Sequence, residues 1–473
     1  MRRGAGIASS HPPAEPSKGT RMTLLSFLQG LLGIAVLLGI AWLFSNNRRR
    51  VNWRLAGTGL ALQILFGILV IKGAELGEFF GPLGWPKLAF GVIAEAFVVI
   101  LGFTTEGAKF VFGALAISPG NTNSIGFFFA FQVLPTIIFF SCLMSVMYYL
   151  GVMQKVVQGM AWVMARVMGT SGAESLSNTA NIFVGQTEAP LMIRPFIAGM
   201  TKSELLTIMT GGMATIAGGV MAAYVQMLGY AFSQAHNIGI NEAQVRFAAQ
   251  LLGASIMAAP AALLISKIIY PETEEPETKG TVKVKVEKNA SNVIEAAASG
   301  AGDGLQLALN VGAMLLAFIA LIALLNFLLE WFGGLLGVNG ILMSHYGKPL
   351  NLQLLMGLVL QYLALAIGVP SAEALNFGAL IGTKVVLNEF VAYLDMSTMI
   401  SEGKLVSEKA IAMATFALCG FANFSSIAIQ IGGLSPLAPH RRKDLAALGL
   451  RAVLGGTLAT LLTATIAGIL IGG

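Results

Sequence analysis

Apolar runs of about 20 residues recur from residue 23 to residue 471, separated by short polar loops. Such a run is what an α-helix needs to cross a hydrocarbon core about 30 Å thick. At that depth backbone polar groups must be satisfied within the helix itself. The chain is therefore expected to be an all-α polytopic protein of the lipid bilayer. Only 11% of its 473 residues are charged, against roughly 25% in a soluble domain. The net charge of +6 sits mostly in loops between apolar runs, where positive-inside topology accounts for it, so no nucleic-acid partner is expected. Cys142 and Cys419 lie within apolar runs, which argues against a disulfide framework.

Spans are expected at 23–45, 55–73, 125–150, 204–232, 246–270, 305–332, 408–434 and 445–471, eight in all. Arg48, Arg49, Arg50 and Arg54 place the first loop in the cytoplasm, and Arg441, Arg442 and Lys443 place a late loop on the same side. Residues 88–116 are apolar but interrupted by Glu95, Glu106 and Lys109, and are read as an interfacial helix. Residues 152–169 read as an amphipathic surface helix, and 350–369 as an apolar interfacial piece. Ser299–Gly304 looks like a phosphate loop but lacks the Lys-Ser/Thr that would complete one, so it reads as a helix start.

One stretch breaks the pattern of long runs. Ser177–Pro190 carries Gln186, Thr187 and Glu188 in a row, bracketed by Gly185 and Pro190, where the backbone is expected to turn. The apolar run before it, Ala180–Val184, is far too short to span. Short half-helices meeting at a polar tip are what transporters place near the membrane midplane. Residues 371–400 repeat the theme, with Thr383-Lys384 and then Asn388-Glu389-Phe390 at their centre.

The chain then divides into a polar tail (1–22), a scaffold region (23–124) and a first repeat (125–270) with a re-entrant hairpin at 172–200. A charged cytoplasmic loop with an interfacial helix follows (271–303), and then a second repeat (304–473) with a hairpin at 371–400. Each half crosses three times, and an odd number of crossings inverts the second copy. That is the inverted-repeat logic of secondary transporters.

Four polar clusters lie in apolar surroundings: Gln186-Thr187-Glu188, Thr215 among glycines, Asn388-Glu389, and Asn423 with Ser425 and Ser426. A carboxylate at membrane depth costs about 2.5–3.5 kcal/mol, so Glu188 and Glu389 need a reason. One is a polar solute site. The other is local neutralisation by Arg194 or Lys384. The glycines of 211–219 allow either close helix packing or an unwound segment that exposes carbonyls. Carboxylates and amides without an arginine cluster disfavour phosphates and carboxylates as solutes. An ionised carboxylate only accepts hydrogen bonds and a sugar diol donates them, while Phe421 and Phe424 offer a stacking face. A nucleoside has both ends.

Gly185-Gln186-Thr187-Glu188-Ala189-Pro190, Gly212-Met213-Ala214-Thr215-Ile216-Ala217-Gly218, Asn388-Glu389-Phe390-Val391-Ala392-Tyr393 and Cys419–Ser426 closely resemble the concentrative nucleoside transporter family in its bacterial form. The resemblance covers about 23–473. It implies a homotrimer in a bacterial inner membrane, with eight spans, two re-entrant hairpins and an elevator-type transport part. It further implies that Gln186, Thr187 and Glu188 face the nucleobase with Val220, and that Glu389, Asn423 and Ser426 hold the ribose, with Phe421 beside the base. A co-transported sodium ion is implied at Asn181, Val184, Thr215 and Ile216, the valine and isoleucine acting through carbonyls. Some relatives carry serine in place of Thr215, which keeps the hydroxyl. The expected function is sodium-coupled nucleoside import, and the alternative is proton coupling through a desolvated carboxylate. All four histidines fall in expected loops, which removes one common proton relay. A channel would need a continuous polar lining. An intramembrane enzyme would need a nucleophile with its base, and no GxSxG or HExxH motif is present.

Overall fold

The computed structural model describes residues 24–117, 123–279 and 290–472. The expected tail at 1–22 and the stretch 280–289 of the charged loop lie outside the described residues. Within them the regular structure is helical, with one isolated bridge between Ser171 and Lys279.

The first part comprises α1 (Leu24–Leu43), α2 (Trp53–Gly67) continued by a π-helical turn into α3 (Gly73–Phe79), α4 (Trp85–Phe112), α5 (Phe129–Gln132), α6 (Leu134–Tyr149) and α7 (Val152–Met168). The first hairpin has α8 (Gly172–Ala180) as one arm, with a 3-10 turn at Ala189–Ile193 and α9 (Arg194–Ile197) as the other. The second arm is thus shorter than an even hairpin over 172–200 would have. Next come α10 (Lys202–Ala214), α11 (Gly218–His236), α12 (Ile240–Ile269), α13 (Val293–Leu335), α14 (Val338–Tyr346) and α15 (Leu352–Ala366). The second hairpin is α16 (Ala374–Val386) and α17 (Glu389–Ser401), followed by α18 (Glu408–Leu418), α19 (Phe424–Leu434) and α20 (Arg442–Ile471).

Local chemistry sets many of these boundaries. Side chains of Ser171, Thr201, Asn292, Asn351, Asn388, Ser407 and Asn423 each accept a backbone N–H at a helix start, satisfying donors the helix cannot satisfy itself. Ser171 with Glu174 and Thr201 with Glu204 form full capping boxes. The two boxes are joined, since Ser171 Oγ donates to Glu204 at 2.6 Å. Lys267 of α12 ties the hairpin base to the loop beyond, reaching Glu174 at 2.8 Å and Glu272 at 3.2 Å.

Among the described residues, eight helical segments are long and apolar enough to cross a membrane. Those through α10–α11 and α12 are 94% buried, and the segment through α20 is 72% buried, whereas α13 is 17% buried. The broken span, α12 and α20 therefore form the centre, and α1, α4 and α13 present apolar faces outward.

The structure corrects the sequence reading at three places. Trp85–Ala116 meets the length and composition of a span. Its charges do not interrupt the helix, because they lie on the outer face, where Glu106 and Lys109 pair at 3.0 Å, while Ala94, Leu101, Thr104 and Ala108 are buried. Residues 408–434, expected as an interrupted span, are two helices of 11 residues parted at Cys419–Asn423. The interfacial helix expected before residue 304 is continuous with the sixth span in a 43-residue α13. Ser299–Gly304 lies inside it, and a Cβ on Gly300 or Gly304 would meet Ser145 or Ile138 of α6 at 2.5 and 2.7 Å. These glycines permit close helix packing and do not start a helix. At 1.5 Å per residue α13 is about 65 Å long, about twice the hydrocarbon thickness, so it must tilt or extend along the surface. The short helix α14 falls between the expected span at 305–332 and the expected interfacial piece at 350–369, where no helix was expected.

Candidate functional site

Two broken spans cross at the centre of the molecule. The chain between α10 and α11 is extended at Thr215 (φ −124°, ψ 167°), and the chain between α18 and α19 contains Gly420 at φ +152°. A Cβ on Gly420 would lie 2.7 Å from the carbonyl oxygen of Met213, so only glycine lets the two breaks approach backbone to backbone. The first hairpin joins the crossing, because the Gly218 N–H donates to the carbonyl of Phe183 at 3.2 Å.

A cavity of about 170 Å³ opens beside this crossing, room for several waters or one small polar solute. Gln186, Thr187, Glu188, Val220, Glu389, Phe421, Asn423 and Ser426 all line it. The two hairpin tips, distant in sequence, thus face one space. Residues at the starts of α11, α17 and α19 also line it, so the partial positive charge of three helix N-termini is directed there.

The polar side chains are held in a defined pattern. Glu389, 5% exposed, is the first residue of α17; it accepts from the Tyr224 hydroxyl at 3.0 Å and from Asn423 Nδ2 at 3.1 Å. A carboxylate can accept about four hydrogen bonds, so acceptor capacity remains for a donor in the cavity. Asn423 caps α19, and its Oδ1 accepts from the Ser426 N–H at 2.9 Å and the Ser425 hydroxyl at 2.7 Å. Across the cavity, Gln186 donates to Ser426 Oγ at 3.2 Å and accepts from Gln430 Nε2 at 3.0 Å, while Gln430 also donates to the Met209 carbonyl at 2.9 Å.

Neither carboxylate is neutralised by direct ion pairing with these cations, although Lys384 and Glu389 attract each other at longer range. Among the described residues, neither Lys384 nor Arg194 forms an ion pair with Glu389 or Glu188. Lys384 points elsewhere, and Glu188 is exposed against the hairpin tip.

The residues grouped for sodium lie at the hairpin end and the first break. Asn181 follows α8, Val184 lies in the tip, and Thr215 and Ile216 form the break. Asn181 is 1% exposed, yet neither atom of its amide has a hydrogen-bond partner. A buried amide oxygen without a donor among the described residues suits a hard cation that takes oxygen ligands.

Several lining or supporting residues escaped the sequence reading. Leu307, Val311, Met314 and Leu315 of α13 form an apolar wall. Tyr224 of α11 and Gln430 of α19 are buried polar groups that support the lining residues. The same membrane-depth cost that singled out Glu389 would have pointed to Gln430.

Discontinuous helices that meet around a polar cavity, within a bundle of spans, define a secondary transporter. Three family models match the chain: the N-terminal part of Na+-dependent nucleoside transporters over 32–115, a nucleoside-recognition gate over 130–231, and the C-terminal part of Na+-dependent nucleoside transporters over 250–468. An uncharacterized transporter of Haemophilus influenzae is 47% identical, over 95% of this chain and 99% of its own. Sodium/nucleoside cotransporter 1 of Rattus norvegicus is 41% identical over 94% of this chain and 64% of its own. The solved structure of CNTnw in an inward-facing substrate-bound state is 41% identical, with a TM-score of 0.78, over 94% of this chain and 98% of that one. A CNTnw variant in an outward-facing state superposes with a TM-score of 0.81, at 41% identity, over 94% and 99%. The chain belongs to the concentrative, Na+-dependent nucleoside transporter family.

Proposed function

We propose that the protein is a symporter that imports nucleosides across a bacterial inner membrane on a sodium gradient, by alternating access of elevator type, as a homotrimer. The observation that carries the reading is the meeting of Gln186 from the first hairpin with Glu389, Asn423 and Ser426 around one cavity. The remaining acceptor capacity of Glu389 suits the hydroxyls of a ribose, and the second N–H of Gln186 faces the base. Phe421 supplies the apolar face for the base, and Val220 and the α13 wall close the other side.

Sodium binds at Asn181, Thr215 and the carbonyls of Val184 and Ile216, which joins the first hairpin to the first break. Coupling follows if sodium binds the solute-competent arrangement of the hairpin more tightly than the alternative. The hairpins and broken spans then move as a loaded unit against α1–α6 and α13. The states known for CNTnw, inward-facing, intermediate and outward-facing, are consistent with such a cycle.

Uptake of uridine into proteoliposomes tests this. Accumulation above the outside concentration under an inward sodium gradient is expected. Accumulation only under an acid-outside gradient, with none under sodium, would replace sodium by the proton.

A further inference from the structure

Each repeat contains a broken span, and each break opens a helix C-terminus whose last carbonyls the helix itself does not all satisfy. Such an end carries about half a negative charge and calls for a cation or donor. The two repeats answer this differently. At the first break no lysine, arginine or histidine bonds to residues 211–217 among the described residues; the Gly211 carbonyl accepts from the Thr215 hydroxyl at 2.9 Å, and the first hairpin, joined to this break through Phe183 and Gly218, carries the buried Asn181, whose amide has no partner among the described residues. At the second break the hairpin supplies Lys384, in the last turn of α16. Its side chain is fully buried, and its ammonium donates to the carbonyl of Ala417, in the last turn of α18, at 2.8 Å and to Thr460 Oγ1 at 3.0 Å. No carboxylate pairs with it within the described residues.

We propose that the Lys384 ammonium is a tethered cation, taking in the second repeat the place that a soluble sodium ion takes in the first, so that one mobile cation accompanies each solute. The inference rests on the sodium reading of the first repeat given above. Its physical content is an asymmetry between hairpins. The second is fastened to its break permanently by a charge on its own chain, whereas the first is fastened only when an ion is present. Ion dependence therefore resides in the first hairpin alone. Removal of the lysine charge leaves two acceptors, the Ala417 carbonyl and the Thr460 hydroxyl, for which a second soluble cation becomes the substitute.

Equilibrium binding of uridine to the purified full chain, titrated with sodium chloride against choline chloride, tests the inference. In the wild type the sodium dependence has a Hill coefficient of about one, and in Lys384→Met it rises towards about two. The half-saturating sodium concentration in that variant rises about tenfold or more, and Lys384→Arg, which keeps the charge, retains the wild-type coefficient. A folded Lys384→Met with unchanged sodium dependence overturns the inference. If Lys384→Met does not fold, the wild type decides through the reversal potential of reconstituted vesicles: about one charge per uridine supports the inference and about two overturns it. A wild-type coefficient near two overturns the inference alone. Absence of any sodium dependence in the wild type overturns the sodium reading as well, which keeps the two failures distinguishable.

Discussion

Tyr224 of α11 donates its hydroxyl proton to Glu389 of α17 across 3.0 Å, a contact between residues 165 apart in the chain. It ties the start of the second hairpin's return arm to the helix beyond the first break. The Tyr224 ring packs on Phe390 and Tyr393, with centroids at 5.0 and 4.3 Å, so the hydroxyl has little freedom to turn elsewhere. Tyr224→Phe keeps that packing and removes only the hydrogen bond. A hydrogen bond to a charged group contributes about 1.5–3 kcal/mol, and the lost orientation of the carboxylate is expected to weaken uridine binding by about tenfold. Isothermal titration of the variant checks this; an unchanged affinity would show that the carboxylate needs no such support.

Glu389→Gln replaces an acceptor pair by one acceptor and one donor. Uridine affinity is expected to fall by about 10- to 100-fold. The affinity of 2′,3′-dideoxyuridine, which has no diol to offer, should change far less. Equal losses for both compounds would make Glu389 a structural residue.

Gln430 fixes which way round the Gln186 amide lies, by donating to its Oε1 at 3.0 Å. In Gln430→Leu that amide is free to turn over and present either its oxygen or its nitrogen to the cavity. The ratio of uridine to cytidine affinity, two bases that differ by exchanging an acceptor for a donor, should then move towards unity. A ratio identical to wild type, with total affinity reduced, would assign Gln430 to packing alone.

Thr215→Ala removes one oxygen from the proposed ion site while the break keeps its glycines. Half-saturation by sodium is expected to rise about tenfold, the effect of about 1.4 kcal/mol, while uridine affinity at saturating sodium stays near wild type. A change in uridine affinity at all sodium concentrations would place Thr215 in the solute site instead.

Lys267 is 4% exposed and holds Glu174, Glu272 and Ser203 together at the hairpin base. Lys267→Met strands buried carboxylates, which costs about 3–5 kcal/mol. A lowered Tm for the detergent-solubilised protein is the expected readout, and an unchanged Tm would show that water reaches the cluster.

Much of this architecture was legible because polar groups at membrane depth are costly, and each therefore asks for an explanation. Gln186–Glu188 and Asn388-Glu389 stood out against apolar neighbours, and the structure brings them to one cavity. The α13 wall did not stand out, because Leu307, Val311 and Leu315 read the same whether they face a solute or lipid. The continuity of α13 was hidden by its glycines, which resemble a helix start until α6 is seen packed against Gly300 and Gly304. Residues 408–434 disclosed their interruption through Gly420 and the polar Asn423, Ser425 and Ser426. The joining of the hairpin base by Lys267 depended on partners from 174 to 272, which no local pattern discloses.

A structure of the protein with bound uridine and sodium tests the central claim most directly, that solute and ion share the first hairpin. The expected result places the ribose hydroxyls within hydrogen-bond distance of Glu389 and Asn423 and the base edge at Gln186. Sodium should then be coordinated by Asn181, Thr215 and the carbonyls of Val184 and Ile216. Uridine bound away from this cavity, or sodium bound among residues outside the first hairpin, would contradict it.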